Sequence, residues 1–156
     1  MAQERPLPLV DRTQLLGLFI WLMLGFVGLA FLESTVEGGV GGGEGTFGWR
    51  KTFLGYRLKE YHFWLWSVVV PVFTFSPIII LGYAPQLFGV LALAYLLGCI
   101  LEDYVYFLVN PHFGRGGWNS RTATWMPWFK IGRYEVPQMY VRNLLGAAVV
   151  WAIFFR

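Results

Sequence analysis

Glu102 and Asp103 stand side by side in a stretch that is otherwise apolar. Residues 63–101 carry no charge, and beyond Asp103 six more uncharged residues lead to Asn110-Pro111. A carboxylate at membrane depth costs roughly 2.5–3.5 kcal/mol on insertion scales, so it normally faces protein, water or a partner charge. Adjacent acids with a histidine in reach are candidates for general acid–base work, one group delivering a proton while another removes one. Glu102, Asp103 and His62 are therefore the catalytic candidates if the chain is an enzyme. Arg142 is the cation that would hold a phosphate or carboxylate, and Asn110, Glu33 and Trp49 complete the candidate binding set.

These residues can act together only if the elements that carry them converge. Four apolar spans are readable, at about 14–33, 62–82, 87–109 and 137–155. Pro71 and Pro77 should kink the second, with the freed carbonyls satisfied by neighbouring helices. Asn110-Pro111 ends the third, and Pro137 opens the fourth. Gly82-Tyr83-Ala84-Pro85-Gln86 is a tight turn, which makes spans two and three a helical hairpin. The expected fold is all-α: one integral membrane domain over 1–156, a four-helix bundle with two long loops on the same side.

Composition agrees. The 156 residues are 56% hydrophobic, 19% aromatic and 13% charged, with mean hydropathy +0.53; soluble domains carry about 25% charged residues. The net charge of +3 lies in loops that flank the spans, which points to anionic lipid and not to nucleic acid. Cys99 is the one cysteine, so an intramolecular disulfide and a cysteine-cluster metal site are excluded. Arg5 and Arg12 before an apolar stretch imitate a signal peptide, but 19 residues from Gln14 to Leu32 exceed a usual signal core, so a transmembrane helix is expected.

The long connections are residues 34–61 and 110–136. They hold eight basic residues (Arg50, Lys51, Arg57, Lys59, Arg115, Arg121, Lys130 and Arg133), against Arg5, Arg12 and Arg156 in the tails. The positive-inside rule puts both long loops in the cytoplasm and both termini outside. The glycine run Gly38 to Gly45 reads as a flexible hinge. Gly43 to Gly48 matches G-x-G-x-x-G, but no strand precedes it, so a nucleotide site is not expected. Trp49, Trp64, Trp66, Trp118, Trp125 and Trp128 fall near one interface, as an aromatic belt would.

Every span places a polar group at the loop end. Asp103 lies roughly 10 Å inside that end and Arg142 roughly 8 Å, at 1.5 Å per helical residue. Their depths match, so an ion pair between Arg142 and Glu102 or Asp103 is expected. His62 opens span two there and Glu33 closes span one. Asp103 and Asn110 share a helix face, as do Gln138, Arg142 and Gly146, the last allowing close helix approach. A buried Arg–carboxylate pair also serves simply to fix helix packing, and that structural reading stands beside the chemical one. Two histidines fall far short of the histidine-rich membrane di-iron enzymes; a metal site from His62, Glu102, Asp103 and Glu33 is the lesser alternative on ligand type, and none is expected.

The motifs also resemble a known pattern. Glu44-Gly45-Thr46-Phe47-Gly48-Trp49 is similar to E-G-x-x-G-W, and Tyr61-His62 to a tyrosine–histidine span opening. Glu102-Asp103 through Asn110-Pro111-His112-Phe113-Gly114 is similar to E-D-x-x-[WY]-F-x-x-N-P-x-[FY]-G. Together, over residues 33–140, they resemble a family of small prokaryotic membrane proteins with no assigned activity. That pattern carries histidine beside the tryptophans of its last loop, where this chain has Thr122, Thr124 and Met126. The resemblance implies the architecture, a polar centre and a prokaryotic inner membrane location, without naming a reaction or cofactor.

Two functions follow as expectations. The first is an accessory or binding subunit with a buried polar network near the cytoplasmic interface, in contact with the lipid bilayer and assembled as a homo-oligomer or within a larger membrane complex. The alternative is a membrane enzyme acting on a lipid or prenyl headgroup through Glu102, Asp103 and His62. A cavity reaching Asp103 separates them: an enzyme needs one, an accessory subunit does not.

Overall fold

The structure, a computed structural model, describes residues 11–39, 41–42, 46–53 and 55–156. It is mostly helical, with four helices among the described residues. Helix α1 is Arg12–Glu37, α2 is Glu60–Leu81, α3 is Pro85–Val109 and α4 is Gln138–Phe154. The first three are long and apolar enough to cross a membrane; α4 is apolar and 17 residues long. The apolar runs thus locate all four helices to within a few residues. The largest difference is at the end of α1, which continues past Glu33 to Glu37. At its start Asp11 and Gln14 form a capping box: Asp11 Oδ1 accepts from the Gln14 amide at 2.8 Å, and Gln14 Oε1 from the Asp11 amide at 3.0 Å.

The chain is not purely all-α. Each long connection carries a two-stranded antiparallel hairpin, β1 Arg50–Phe53 with β2 Tyr56–Lys59, and β3 Trp128–Ile131 with β4 Tyr134–Pro137. Phe53 pairs with Tyr56 and Ile131 with Tyr134, so each hairpin closes through two residues. Gly55 (φ 83°) and Gly132 (φ 60°) supply the positive φ that such tight turns require. In the second hairpin Lys130 lies across from Glu135, its Nζ 3.4 Å from Oε1. The Glu135 carboxylate also accepts from the Ser120 amide at 2.7 Å and the Ser120 hydroxyl at 3.0 Å. The Ser120 amide is the main cause that holds its pKa below the usual carboxylate value.

Helix α3 is the central element, packed along α1 on one side and α4 on the other. Close approach is set by missing side chains. A Cβ on Gly98 would collide with the Phe26 ring of α1, and a Cβ on Gly146 of α4 would sit 3.3 Å from Leu96. Phe26 is held from behind by Trp66 of α2, stacked at 6.3 Å and 18°. Asn143 of α4 donates to the Leu96 carbonyl at 3.2 Å.

Helix α2 shows how its prolines are accommodated. Leu65–Val69 is wound as π-helix, with the Val70 amide reaching back to the Leu65 carbonyl. In that register the next donor would be Pro71, which has no N–H, so the Trp66 carbonyl is left over. The Tyr95 hydroxyl of α3 fills it at 2.9 Å. Pro77 frees the Phe73 carbonyl in the same way, and the Ser76 hydroxyl donates to it at 2.8 Å. The expectation that neighbouring helices satisfy the freed carbonyls is met at Pro71, where Tyr95 of α3 donates; at Pro77 the donor is Ser76 of α2 itself.

The two long connections pack on each other. The Arg57 amide donates to the Trp125 carbonyl at 3.1 Å, and Asn110 Nδ2 to the Gly38 carbonyl at 2.9 Å. Gly41 and Gly42 have φ of 64° and 55° and lie against the Trp125 ring, where a Cβ would clash. Within the glycine run Gly41 and Gly42 are therefore a buried contact; Val40, Gly43, Glu44 and Gly45 lie outside the described residues. The loop tryptophans also differ from the expected belt. Trp125 stacks on Phe107 at 6.1 Å and 4°, and Trp118 meets Trp128 edge-on at 5.4 Å. They join Ala30, Tyr106, Phe107, Ala123 and Met126 in a small core that closes the loop end of the helices.

Gly98→Ala should test this packing. Phe26 cannot retreat from Trp66 without cost, and overpacking of this kind destabilises by about 1–3 kcal/mol. Gly28→Ala in α1, where a Cβ meets nothing within 4 Å, should instead stabilise by roughly 0.5–1 kcal/mol through helix propensity. Thermal midpoints of the two detergent-solubilised variants measure the difference.

Candidate functional site

Three helices bring three carboxyl groups and an imidazole together at the loop end. Glu33 and Glu37 are one turn apart on α1, share a face, and are 5% exposed each. His62, in the first turn of α2, points Nε2 at them, 2.7 Å from Glu37 Oε1 and 3.8 Å from Glu33 Oε1. Glu102 of α3 is 4% exposed, and its carboxyl group lies within hydrogen-bonding reach of Glu33. Tyr61 reaches Glu33 from α2, and Tyr106, one turn past Glu102, sits close to Glu37 and Asn110. Glu33 Oε1 and Glu102 Oε1 are buried, and no hydrogen-bond donor reaches either among the described residues.

Asp103 belongs to a different face. One residue on from Glu102, it is turned about 100° round α3, toward α4, where the Tyr140 hydroxyl donates to Oδ2 at 2.8 Å. Among the described residues, Arg142 makes no ion pair with Glu102 or Asp103; its guanidinium is exposed and lies over the Tyr56 ring at 5.6 Å. The expected pair required matching depth and matching azimuth, and only the depth matched. Tyr140, two residues earlier on α4, has the azimuth and takes the acid instead.

The acids line a partly open cavity of about 390 Å³. Glu33, Glu37, His62, Glu102 and Asp103 form its polar wall, and Trp66, Cys99, Trp125, Met126 and Met139 contribute to a mainly apolar remainder. Arg57 of β2 and Arg142 of α4 also line it, as does Gly42. Of the sequence-predicted residues, Glu102, Asp103, His62, Glu33 and Arg142 thus meet at one cavity. Asn110 and Trp49 stand outside its lining. Asn110 is a joint: it donates to Gly38, and its Oδ1 accepts from the His112 amide at 2.9 Å. The Trp49 amide donates to Glu60 Oε2 at 3.2 Å, and its ring rests on Phe63 at 5.6 Å.

Glu37 and Tyr140 escaped the sequence reading, which met Tyr61 and Tyr106 only as motif positions. Glu37 carried a signal, the four-residue spacing from Glu33, which is masked when the span is ended at its first acid. Chemically, the cluster can share and pass protons among three carboxyl groups and an imidazole. Glu33, Glu37 and His62 also set three ligand atoms within 4.8 Å of one another, a spacing able to hold a metal ion. No family model, curated protein or solved structure matches the chain.

The distinction between joint and cavity wall is measurable. Asn110→Ala leaves the Gly38 carbonyl and the His112 amide without their partner, and should cost at least about 2 kcal/mol. Arg142→Ala removes an exposed cation–π contact and should cost no more than about 1 kcal/mol. Chemical denaturation of both variants checks the order.

Proposed function

We propose that this chain is a multi-pass integral membrane protein, a four-helix bundle that admits the polar end of a lipid-like molecule to the cavity and performs acid–base chemistry on it. The observation that carries the reading is the cavity itself: acids at one wall, two arginines among its other lining residues and a largely apolar remainder. An amphipathic ligand with an anionic headgroup, of the lipid or prenyl class, matches that distribution. Arg142 and Arg57 would hold the headgroup, by charge-assisted hydrogen bonds. The Asp103–Tyr140 pair would take and deliver protons, with His62 paired to Glu37 of the opposite acid-bearing helix.

Membrane insertion draws support from the outer helix faces. Trp21 is 73% exposed, Phe73 72%, Ile79 88% and Ile80 78%, an arrangement costly in water and ordinary in lipid. The β1–β2 hairpin, with exposed Arg50, Lys51 and Arg57, fits the anionic headgroup layer on the cytoplasmic side. The motif resemblance supports a prokaryotic inner membrane. One observation favours the accessory-subunit reading: α2 buries little of its apolar surface within the chain, leaving a face for a second copy or a larger complex.

Farnesyl phosphate in detergent micelles is a direct probe. Titration should quench the fluorescence of the cavity tryptophans Trp66 and Trp125, and the paired substitution Arg57→Ala with Arg142→Ala should weaken binding by about tenfold or more, the scale of losing charge-assisted contacts. Asp103→Asn should keep the binding, while cells producing it lose the lipid species that mass spectrometry finds altered by the wild-type protein. No binding by wild type, or no lipid difference between wild type and Asp103→Asn, would contradict the reading.

A further inference from the structure

We propose that Glu33, Glu37 and His62 bind a first-row divalent cation, with Glu102 supplying a fourth ligand from α3. The inference rests on the cavity reading for its access route, and on four separate features of the cluster for its chemistry.

The first is ligand placement. Three donor atoms from two helices already lie within 4.8 Å of one another. Metal–ligand bonds of about 2.0–2.2 Å put neighbouring donors roughly 3–3.5 Å apart, and the His62–Glu37 and His62–Glu33 separations of 2.7 and 3.8 Å bracket that spacing. Only small rotations of side chains are needed to converge on an ion.

The second is a pair of buried oxygens that no hydrogen-bond donor among the described residues reaches, although the carboxyl groups that carry them lie within reach of each other and Glu33 also of Tyr61. Glu33 Oε1 and Glu102 Oε1 are both buried without a hydrogen-bond donor, on residues that are 5% and 4% exposed. Buried polar atoms are nearly always satisfied, and an exception marks a missing water, ion or working group. Two such oxygens on neighbouring carboxyl groups, both lining the cavity, are what a bound cation would satisfy at once.

The third is charge. Glu33, Glu37 and Glu102 converge with one imidazole and with Lys59, which is buried near His62, while Arg142 lies over the Tyr56 ring. A divalent ion offsets the excess at the point where it accumulates. The fourth is donor type. Three carboxylates and one imidazole form a nitrogen–oxygen set suited to Mn²⁺, Fe²⁺ or Zn²⁺, and the absence of sulfur ligation from the lone, separate Cys99 leaves copper(I) unfavoured. The cavity beside the cluster leaves room for an open coordination position, as a catalytic site keeps and a structural one does not.

The test uses the full chain carrying a tag without histidine, purified in detergent, stripped with chelator and desalted. Mn²⁺ alone is then titrated and its free signal followed by electron paramagnetic resonance. The expected result is one equivalent bound, displaced by Zn²⁺, with affinity reduced at least tenfold in Glu37→Gln and in Glu33→Gln. Glu135→Gln, in the exposed hairpin, should bind as wild type does. The glutamine variants are nearly isosteric, and circular dichroism with gel filtration confirms their fold. If either fails to fold, His62→Gln replaces it, and the wild-type stoichiometry remains decisive alone. No saturable uptake by wild type, or uptake unchanged in the folded variants, overturns the site. Wild-type protein that takes up no Mn²⁺ yet binds farnesyl phosphate sinks the metal site and leaves the cavity reading intact; metal uptake without farnesyl phosphate binding does the reverse.

Discussion

The structure turns on one electrostatic constraint: three buried carboxyl groups, Glu33, Glu37 and Glu102, occupy one small volume among apolar helices. Taking a single carboxylate out of water costs several kcal/mol even after relaxation, and three together repel one another. A fold does not need this arrangement to be stable, since well-packed apolar residues would serve as well or better. His62 and Lys59, buried near it, answer only part of the charge, and Arg142, which lines the same cavity, lies over Tyr56 without pairing to Glu102 or Asp103. The cluster is therefore an expense carried by the surrounding packing, which is the usual relation between a working site and its scaffold.

That packing is concentrated where it is needed. Helix α3, which carries Glu102 and Asp103, is the most enclosed element, and Gly98 lets α1 approach it closely enough for Glu33 to reach Glu102. The π-turn in α2 sits just after His62 and next to Trp66, so the irregular winding falls at the cavity wall and is secured by Tyr95. Asn110 then ties the end of α3 to the end of α1, fixing the two acid-bearing helices to each other. Above them the loop core built on Trp125 and Phe107 closes the same end, and the buried Gly41 and Gly42 let the first connection lie flat against it.

Much of this was legible from residue types alone. Apolar runs and prolines placed the helices, because lipid-scale hydrophobic segments are the strongest signal a sequence carries. The convergence of Glu33, His62, Glu102, Asp103 and Arg142 at one cavity also followed, since depth along a helix is a matter of counting. Azimuth was harder. It depends on helix rotation, which the uniformly apolar faces of α1 and α4 do not reveal, and so Tyr140 stands where Arg142 was expected. The hairpins were missed although Leu54-Gly55 and Gly132-Arg133 sit between short alternating segments; four-residue strands in basic loops lack the apolar alternation that announces larger sheets. Glu37 was lost because the span was ended at its first charge, while the helix continues one more turn.

The central claim is that the carboxyl cluster serves a ligand and does not hold the fold together. The most direct measurement is the stability of a triple variant, Glu33→Gln, Glu37→Gln and Glu102→Gln, compared with the wild-type chain, both in detergent with chelator present. The substitutions keep the shapes and remove the charges. A thermal midpoint equal to or above that of the wild type is the predicted result, since neutralising an uncompensated buried cluster relieves repulsion and desolvation. A midpoint well below it would show that the charges are paired into a structural network, and would contradict the account.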